Sequence, residues 1–238
     1  MDIILNNLPL LWTGLLRTLE LAVVTLVGST VISVIFGLAG VARSRILRLV
    51  SMAYVEFFRD IPLIVNVLFV YFGAPLIGVS LDPFGAATIS FSLWGGANGA
   101  EIVRSGFNAV PRHQEQSAMA LGLKPWEIMW YVLAPQALLP IIPPFTGLFS
   151  LLIQATSLAS MVGAMEFFRS AQIIVERTTM MTGFSPAFMV YGFVLLVYFV
   201  ICASLSALTK LLEKRLSERQ TRRRGTAAPI PQPAQESI

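Results

Sequence analysis

Few side chains in this sequence are equipped for covalent chemistry, and they do not converge. The chain has one cysteine, Cys202, and one histidine, His113. Cys202 sits in the apolar run YGFVLLVYFVICASLSAL, where a free thiol packs as a small hydrophobe. His113 lies in a polar stretch with no evident nucleophile beside it, which fits a solvated or capping side chain better than a general base. A lone cysteine excludes a disulfide within the chain, and the two residues cannot furnish a zinc cluster, so no metal site is expected. The pattern G-x-x-x-x-G-K-[ST] does not occur, so any ATP has to be bound by another subunit. No catalytic residue and no cofactor in this chain are expected.

What remains is polar and ionisable chemistry set in apolar sequence. Glu56 and Arg59 are three apart, as are Glu101 and Arg104. A charge in hydrocarbon costs at least about 2.5 to 3.5 kcal/mol on insertion scales, so each pair is expected to share a helix face and neutralise itself. Structural ion pairs near the membrane edge and direct contact with a solute are both open readings. Asn66, Asn98, Gln154, Thr156 and Ser157 lie deeper, where uncharged polar groups bond neighbouring helices or a solute's ammonium and carboxylate. Gln154, Thr156 and Ser157 are the leading candidates to line a translocation path.

The elements that must hold these groups are membrane helices. The chain of 238 residues is 55% hydrophobic and 13% charged, with mean hydropathy +0.74. Soluble domains average roughly 25% charged residues, and apolar runs of about 20 residues cross a core of about 30 Å as helices. An all-α, polytopic membrane protein is expected, with about five transmembrane helices near residues 20–41, 52–77, 85–107, 129–163 and 187–209. The opening MDIILNN is acidic rather than basic, which reads as a retained segment and not a cleaved signal. Arg43, Arg45 and Arg48 follow the first span, Arg112 and Lys124 lie between the third and fourth, and Lys210, Lys214, Arg215, Arg219 and Arg222 to Arg224 follow the fifth. The positive-inside rule makes these segments cytoplasmic, with the N-terminus outside and the C-terminus in the cytoplasm. The membrane domain is expected over 1–212. The basic, Pro- and Gln-rich tail over 213–238 has too little apolar surface to fold alone, and its charge suits anionic lipid better than nucleic acid.

Two local patterns refine the spans. Gly95 and Gly99 form a small-xxx-small pair, a signature of close helix packing. Pro135, Pro140, Pro143 and Pro144 are expected to break the fourth span repeatedly, as happens where backbone lines a cavity. The stretch PRHQEQSAMALGLKPWEIMW, residues 111–130, is polar between apolar runs. Residues 112–121 suit a short helix with Gln114, Ala118 and Leu121 on one face. Gly122 supplies the positive φ that ends it, Leu123 folds back over the last turn, and Pro125 begins the next helix. A thin helix entering a partner's groove and a loop lying on the bilayer are both open from spacing alone.

The block AEIVRSGFNAVPRHQEQSAMALGLKPWEIMWYVLAPQALLPIIPP resembles the "EAA" signature loop of ABC importer permeases. YVEFFRDIPLIVNVLFVYFGAP and LLIQATSLASMVGAMEFFRSAQ resemble the second- and fourth-span blocks of their polar amino acid subgroup, and the likeness extends over roughly residues 12–212. The resemblance implies the ABC type I importer permease fold, with the loop at about 110–128 as a coupling helix seated in a cleft of a separate ATPase subunit. By motif position Glu115, Ser117, Ala118, Gly122 and Leu123 would make that contact. Where the family commonly reads G-Q-x-E-A-A, this chain has His113, Gln114, Glu115, Gln116, Ser117 and Ala118, so the acidic group is displaced. The family's R-G-T-P is Arg59-Asp60-Ile61-Pro62, and its L-K-D-T-S-L is Ile153-Gln154-Ala155-Thr156-Ser157-Leu158, without the lysine and aspartate. The implied partners are the ABC ATPase carrying ATP and magnesium, a second permease subunit, a solute-binding protein, membrane lipid and an amino acid substrate, with a tilt to glutamate and aspartate. The implied place is the bacterial inner membrane. The loop at 165–186, with Glu166, Arg169, Glu176 and Arg177 at near-helical spacing, is either a surface helix for a binding protein or a solvated connection, with Phe167 and Phe168 as interface anchors. The rival classes are an ion-coupled secondary transporter or channel using Glu56 and Glu101, and a scaffold without a solute path.

Overall fold

The computed structural model describes residues 2–225, and helices account for nearly all of them. A short helix α1, Asp2–Asn6, leads into the long α2, Leu8–Val41. Then follow α3, Arg45–Asp60, α4, Leu63–Gly73, and α5, Pro83–Asn108. The cytoplasmic-type loop contributes α6, Arg112–Ala120, and α7, Pro125–Glu127. A π-helical stretch, Ile128–Leu133, carries α7 into α8, Ala134–Ala155, and a 3-10 turn, Thr156–Val162, ends that rod. The last helices are α9, Phe167–Thr182, and α10, Ala187–Gly225.

The centre of the molecule is α5 packed along α2, and small residues make that approach possible. A Cβ placed on Gly99 would collide with the Ser33 side chain, and one on Gly95 would come within 2.8 Å of Leu152 and 3.0 Å of Ser29. The close-packing reading of this glycine pair therefore holds. Phe91, Ala86, Ala87 and Ala97 of α5 are fully enclosed. Asn66 of α4 is buried and donates through Nδ2 to the Ser90 carbonyl at 3.2 Å, fastening α4 to α5. A second core forms where α1 and the start of α2 meet α9 and α10, around Leu11, Phe167, Ile174 and Val190.

By length and composition, three helices among the described residues can cross a membrane, Leu8–Val41, Pro125–Val162 and Ala187–Leu211. A fourth is possible if α3 and the following Leu63–Ile77 count as one span, but these are bent by 100°. The expected polytopic all-α fold is seen, and its spans differ in extent and apolarity. The first begins well before residue 20, the second is sharply broken, and α5 is long enough but not apolar enough. Each departure has a cause. Pro62 pushes Ile61 into extended backbone, at φ −86 and ψ 126, which ends α3. The helix α5 lies inside the bundle, so Gly, Ser and Asn serve contact with protein better than contact with lipid. The apolar side chains facing outward are elsewhere: Phe69, Leu76, Phe188, Leu195 and Phe199 stand exposed, as a hydrocarbon solvent permits.

Repeated breaks at the prolines are not seen. Pro140, Pro143 and Pro144 lie inside a continuous α8. Proline removes one N–H and crowds a carbonyl, which bends a helix more often than it ends it when neighbours support both sides. The strain is met upstream, where the Ala134 N–H reaches the Met129 carbonyl in an i to i−5 bond, giving Pro135 room in a widened turn. The helix α10 continues through Gly225. LLEKRLSERQTRRR has no glycine or proline and is rich in strong helix formers, which carries the helix past the last apolar turn. Residues 226–238 lie outside the described residues.

Candidate functional site

The loop between α5 and α8 is built almost wholly from local backbone rules. The helix α6 ends in a Schellman turn: the Leu123 N–H reaches the Ala118 carbonyl at 3.2 Å and the Gly122 N–H reaches the Met119 carbonyl at 2.9 Å. Gly122 has φ +80, and nothing lies within 4 Å of where its Cβ would be, so backbone conformation alone demands glycine there. The next helix is capped by the Glu127 carboxylate, which accepts the Lys124 N–H at 2.6 Å.

The residues expected to meet an ATPase divide by orientation. Ser117 and Gly122 are exposed, Glu115 and Leu123 half-buried, and Ala118 buried. Ala118 and Gln114 face inward, Gln114 accepting from Gln136 Nε2 at 3.3 Å, while Leu121 points to solvent with 81% exposure. The expected shared face of Gln114, Ala118 and Leu121 thus fails at its last member, because Leu121 caps α6 with ψ near 2° and leaves the helical register. Arg43, after α2, stands 3.7 Å from Glu115 and steadies α6 against the end of the first span. His113 is exposed beside Gln114.

The charged candidates gather within the bundle. Glu101 and Arg104 form the expected pair, with Arg104 Nε donating to Glu101 Oε2 at 2.8 Å. Glu56 and Arg59 do not form theirs: among the described residues no ion pair joins them. Glu56, Arg59, Glu101 and Arg104 line one cavity of about 290 Å³ together with Arg48. A second cavity of about 310 Å³ is bounded by Glu101, Ser105, Gly106, Pro140 and Pro144. Glu101 borders both, and the proline-bearing stretch of α8 faces the second. Each of these prolines leaves the carbonyl four residues earlier without its helical N–H, so polar backbone is available along α8 at that depth.

Asn66 and Thr156 are placed otherwise. Asn66 is spent on α5, and Thr156 is fully buried with its hydroxyl donating to the Ile153 carbonyl at 2.6 Å. Gln154 is exposed and reaches Cys202 Sγ at 3.8 Å, and Ser157 is half-buried at the 3-10 turn. Among the described residues no group of His, Cys, Asp or Glu is arranged to hold a metal ion.

One cluster brings together residues that the sequence reading kept apart. Glu166, read as part of a surface run, is 1% exposed and caps α9, accepting the Phe168 N–H at 2.8 Å and the Arg169 N–H at 2.6 Å. Tyr198 of α10 and Thr18 of α2 lie 3.3 and 3.4 Å from the same carboxyl. Burial pushes its pKa from the ordinary 4.5 up to about 7, against the pull of the two backbone N–H groups. An acid one residue before a helical run was the available signal, but its partners are about 150 residues away in Thr18 and on another helix in Tyr198. Phe167 is buried in the second core, not an interface anchor, and α9 as a whole is a packed helix, not a solvated connection.

Residues 29–218 match the model of the binding-protein-dependent transport system inner membrane component. The chain belongs to that family. The permease is 33% identical over 208 residues to the L-cystine transport system permease protein TcyB of Bacillus subtilis (strain 168), covering 87% of each chain. It is 32% identical to the glutamine transport system permease protein GlnP of Escherichia coli (strain K12), covering 88% of this chain and 94% of that one. Its fold matches the crystal structure of an amino acid ABC transporter with histidines at TM-score 0.80 and 28% identity, over 89% of this chain and 96% of the other. An inward-facing MetNI methionine ABC transporter shares the fold at TM-score 0.71 and 21% identity, over 87% and 96%. The type I importer permease architecture read from the sequence is thereby established.

Proposed function

We propose that the chain is the permease subunit of an ATP-driven importer of polar amino acids in a bacterial inner membrane, with its N-terminus outside. It provides half of the path, completed by a second permease subunit of the same or a related chain, and receives solute from a binding protein. The observation that carries the reading is the pair of cavities meeting at Glu101 beside the proline-bearing helix, in a chain whose relatives are named for glutamine and L-cystine transport. An amino acid presents one carboxylate and one ammonium. The guanidinium groups of Arg48, Arg59 and Arg104 suit the first, and Glu56 with Glu101 suits the second. The guanidinium groups outnumber the carboxylates there, which favours solutes with a further carboxylate, so glutamate and aspartate are the first to test beside glutamine and cystine. Gln154 and Ser157 are proposed to continue the path, with Asn66 and Thr156 supporting it from behind.

Energy enters through α6. ATP and magnesium belong to the partner ATPase, whose closure on nucleotide pushes on the Ser117, Gly122 and Leu123 surface. Glu115 steadies that surface from one side through Arg43, and Ala118 does so from beneath. This chain then alternates between outward and inward openings and hydrolyses nothing itself. Uptake of labelled amino acids into vesicles containing the reconstituted complex tests this. ATP- and binding protein-dependent accumulation, lost in Glu101→Ala, is expected. Accumulation that follows an ion gradient without ATP would favour the secondary transporter.

A further inference from the structure

Glu166 is the only Asp, Glu, Lys or Arg among the described residues that is buried. From α2 it is faced by the Thr18 hydroxyl, while Arg17 and Glu20 nearby are exposed and paired with each other at 2.7 Å. From α9 it receives backbone N–H groups, and the Arg169 guanidinium turns away to Gln172 and Glu176. From α10 it meets the Tyr198 hydroxyl, which in turn lies 3.4 Å from the Thr156 hydroxyl at the start of the 3-10 turn. Among the described residues no cation pairs with the Glu166 carboxyl.

Counting protons in this chain of oxygens favours one charge state. Thr156 has one hydroxyl proton, committed to the Ile153 carbonyl at 2.6 Å. Tyr198 also has one, which can serve Thr156 or Glu166 but not both. If Glu166 is ionised, one of those two oxygen pairs has no proton between its members. If Glu166 is protonated, it donates to Tyr198, Tyr198 donates to Thr156 and Thr156 donates to Ile153, so each of these three contacts has its proton, while the Thr18 hydroxyl keeps its own for Glu166. The two backbone N–H groups are accepted by either form.

We infer that Glu166 is a positioning residue for transport: in its protonated form it ties Thr18 of α2 and Tyr198 of α10 to Thr156, and its ionisation frees the turn that ends the proline-bearing helix. This rests on the transport reading above, since that turn carries Ser157 and begins two residues after Gln154. A carboxyl that titrates near pH 7 would make uptake respond to acidity on the side where α9 lies.

Infrared spectroscopy and uptake on the full-length protein test it together. The wild type should show a protonated-carboxyl band that fades between about pH 6 and about pH 8, as the protonated fraction drops about tenfold, and Glu166→Gln should lack it. In vesicles, wild-type uptake should fall in step with the band. Glu166→Gln, which keeps a donor toward Tyr198 while losing the cap bond from the Phe168 N–H, should stay active with a flat profile. Tyr198→Phe should keep the band but lose the pH step, because the link to Thr156 is cut. Absence of a Glu166-dependent band anywhere from about pH 5 to about pH 9, or a pH step that survives in both variants, would overturn the inference. Failure of ATP-dependent uptake at every pH, with the band intact, would instead place the fault in the transport reading.

Discussion

Two junctions in this permease, the Gly122 turn after α6 and the Glu166 cap before α9, are held by opposite means. At Gly122 the side chain is a hydrogen atom in open space, and the geometry is set by a φ of +80 and two backbone hydrogen bonds. At Glu166 the backbone is ordinary and extended, and the geometry is set by a buried side chain gathering partners from three helices. The first can be pressed on by a partner because its surface is free. The second answers to proton concentration because its surface is not.

The sharpest way to break the comparison is Gly122→Val. A β-branched residue resists positive φ at a cost of about 1 to 3 kcal/mol, and the turn has no packing through which to absorb it. Uptake should fall at least about tenfold in radiolabel assays, while the variant inserts and purifies normally; wild-type uptake would remove the turn from the mechanism.

Acidity is the next lever, applied to the other junction. The folded state holds the Glu166 proton more tightly than the unfolded chain, whose carboxyl has the ordinary value of 4.5. Its contribution is therefore complete below pH 4.5 and is lost as pH rises to about 7. The loss amounts to about 3 kcal/mol. Chemical unfolding in detergent across that range should show the decline in wild type and not in Glu166→Gln.

Within α6 the two faces can be set against each other. Ala118→Leu overfills a buried position and should cost about 1 to 3 kcal/mol of stability in thermal melts. Ser117→Leu, one residue earlier and exposed, should leave the melt within about 0.5 kcal/mol yet weaken retention of the ATPase. Smallest of all is Arg43→Ala. It removes a solvent-exposed ion pair to Glu115 and should cost at most about 1 kcal/mol.

The same contrast explains what was legible in the sequence. The Gly122 turn, the helix start at Pro125 and the Gly95–Gly99 contact were readable because each depends on residues within one turn or on the absence of a side chain. The Glu101–Arg104 pair was readable as an i, i+3 neighbour. The Glu56–Arg59 pair was misread because both residues border a cavity shared with Arg48, Glu101 and Arg104, so spacing along one helix does not fix their partners, and Glu166 was misread because Thr18 and Tyr198 are local to it only in space. Spans were counted by hydropathy, which does not separate a helix enclosed by protein, such as α5, from one that faces lipid. Its place among other helices shows in its small residues rather than in its hydropathy.

The central claim is that a separate ATPase drives this permease through the outer face of α6. Cysteine cross-linking tests it most directly, in a Cys202→Ser background that leaves no native thiol. Membranes carrying Ser117→Cys or Ala118→Cys would be treated with a short bifunctional reagent. The account predicts a cross-link from position 117 to a P-loop ATPase, changing in yield when ATP is added, and none from the inward-facing position 118. Cross-linking from neither position, in a complex that still imports amino acids, would contradict it.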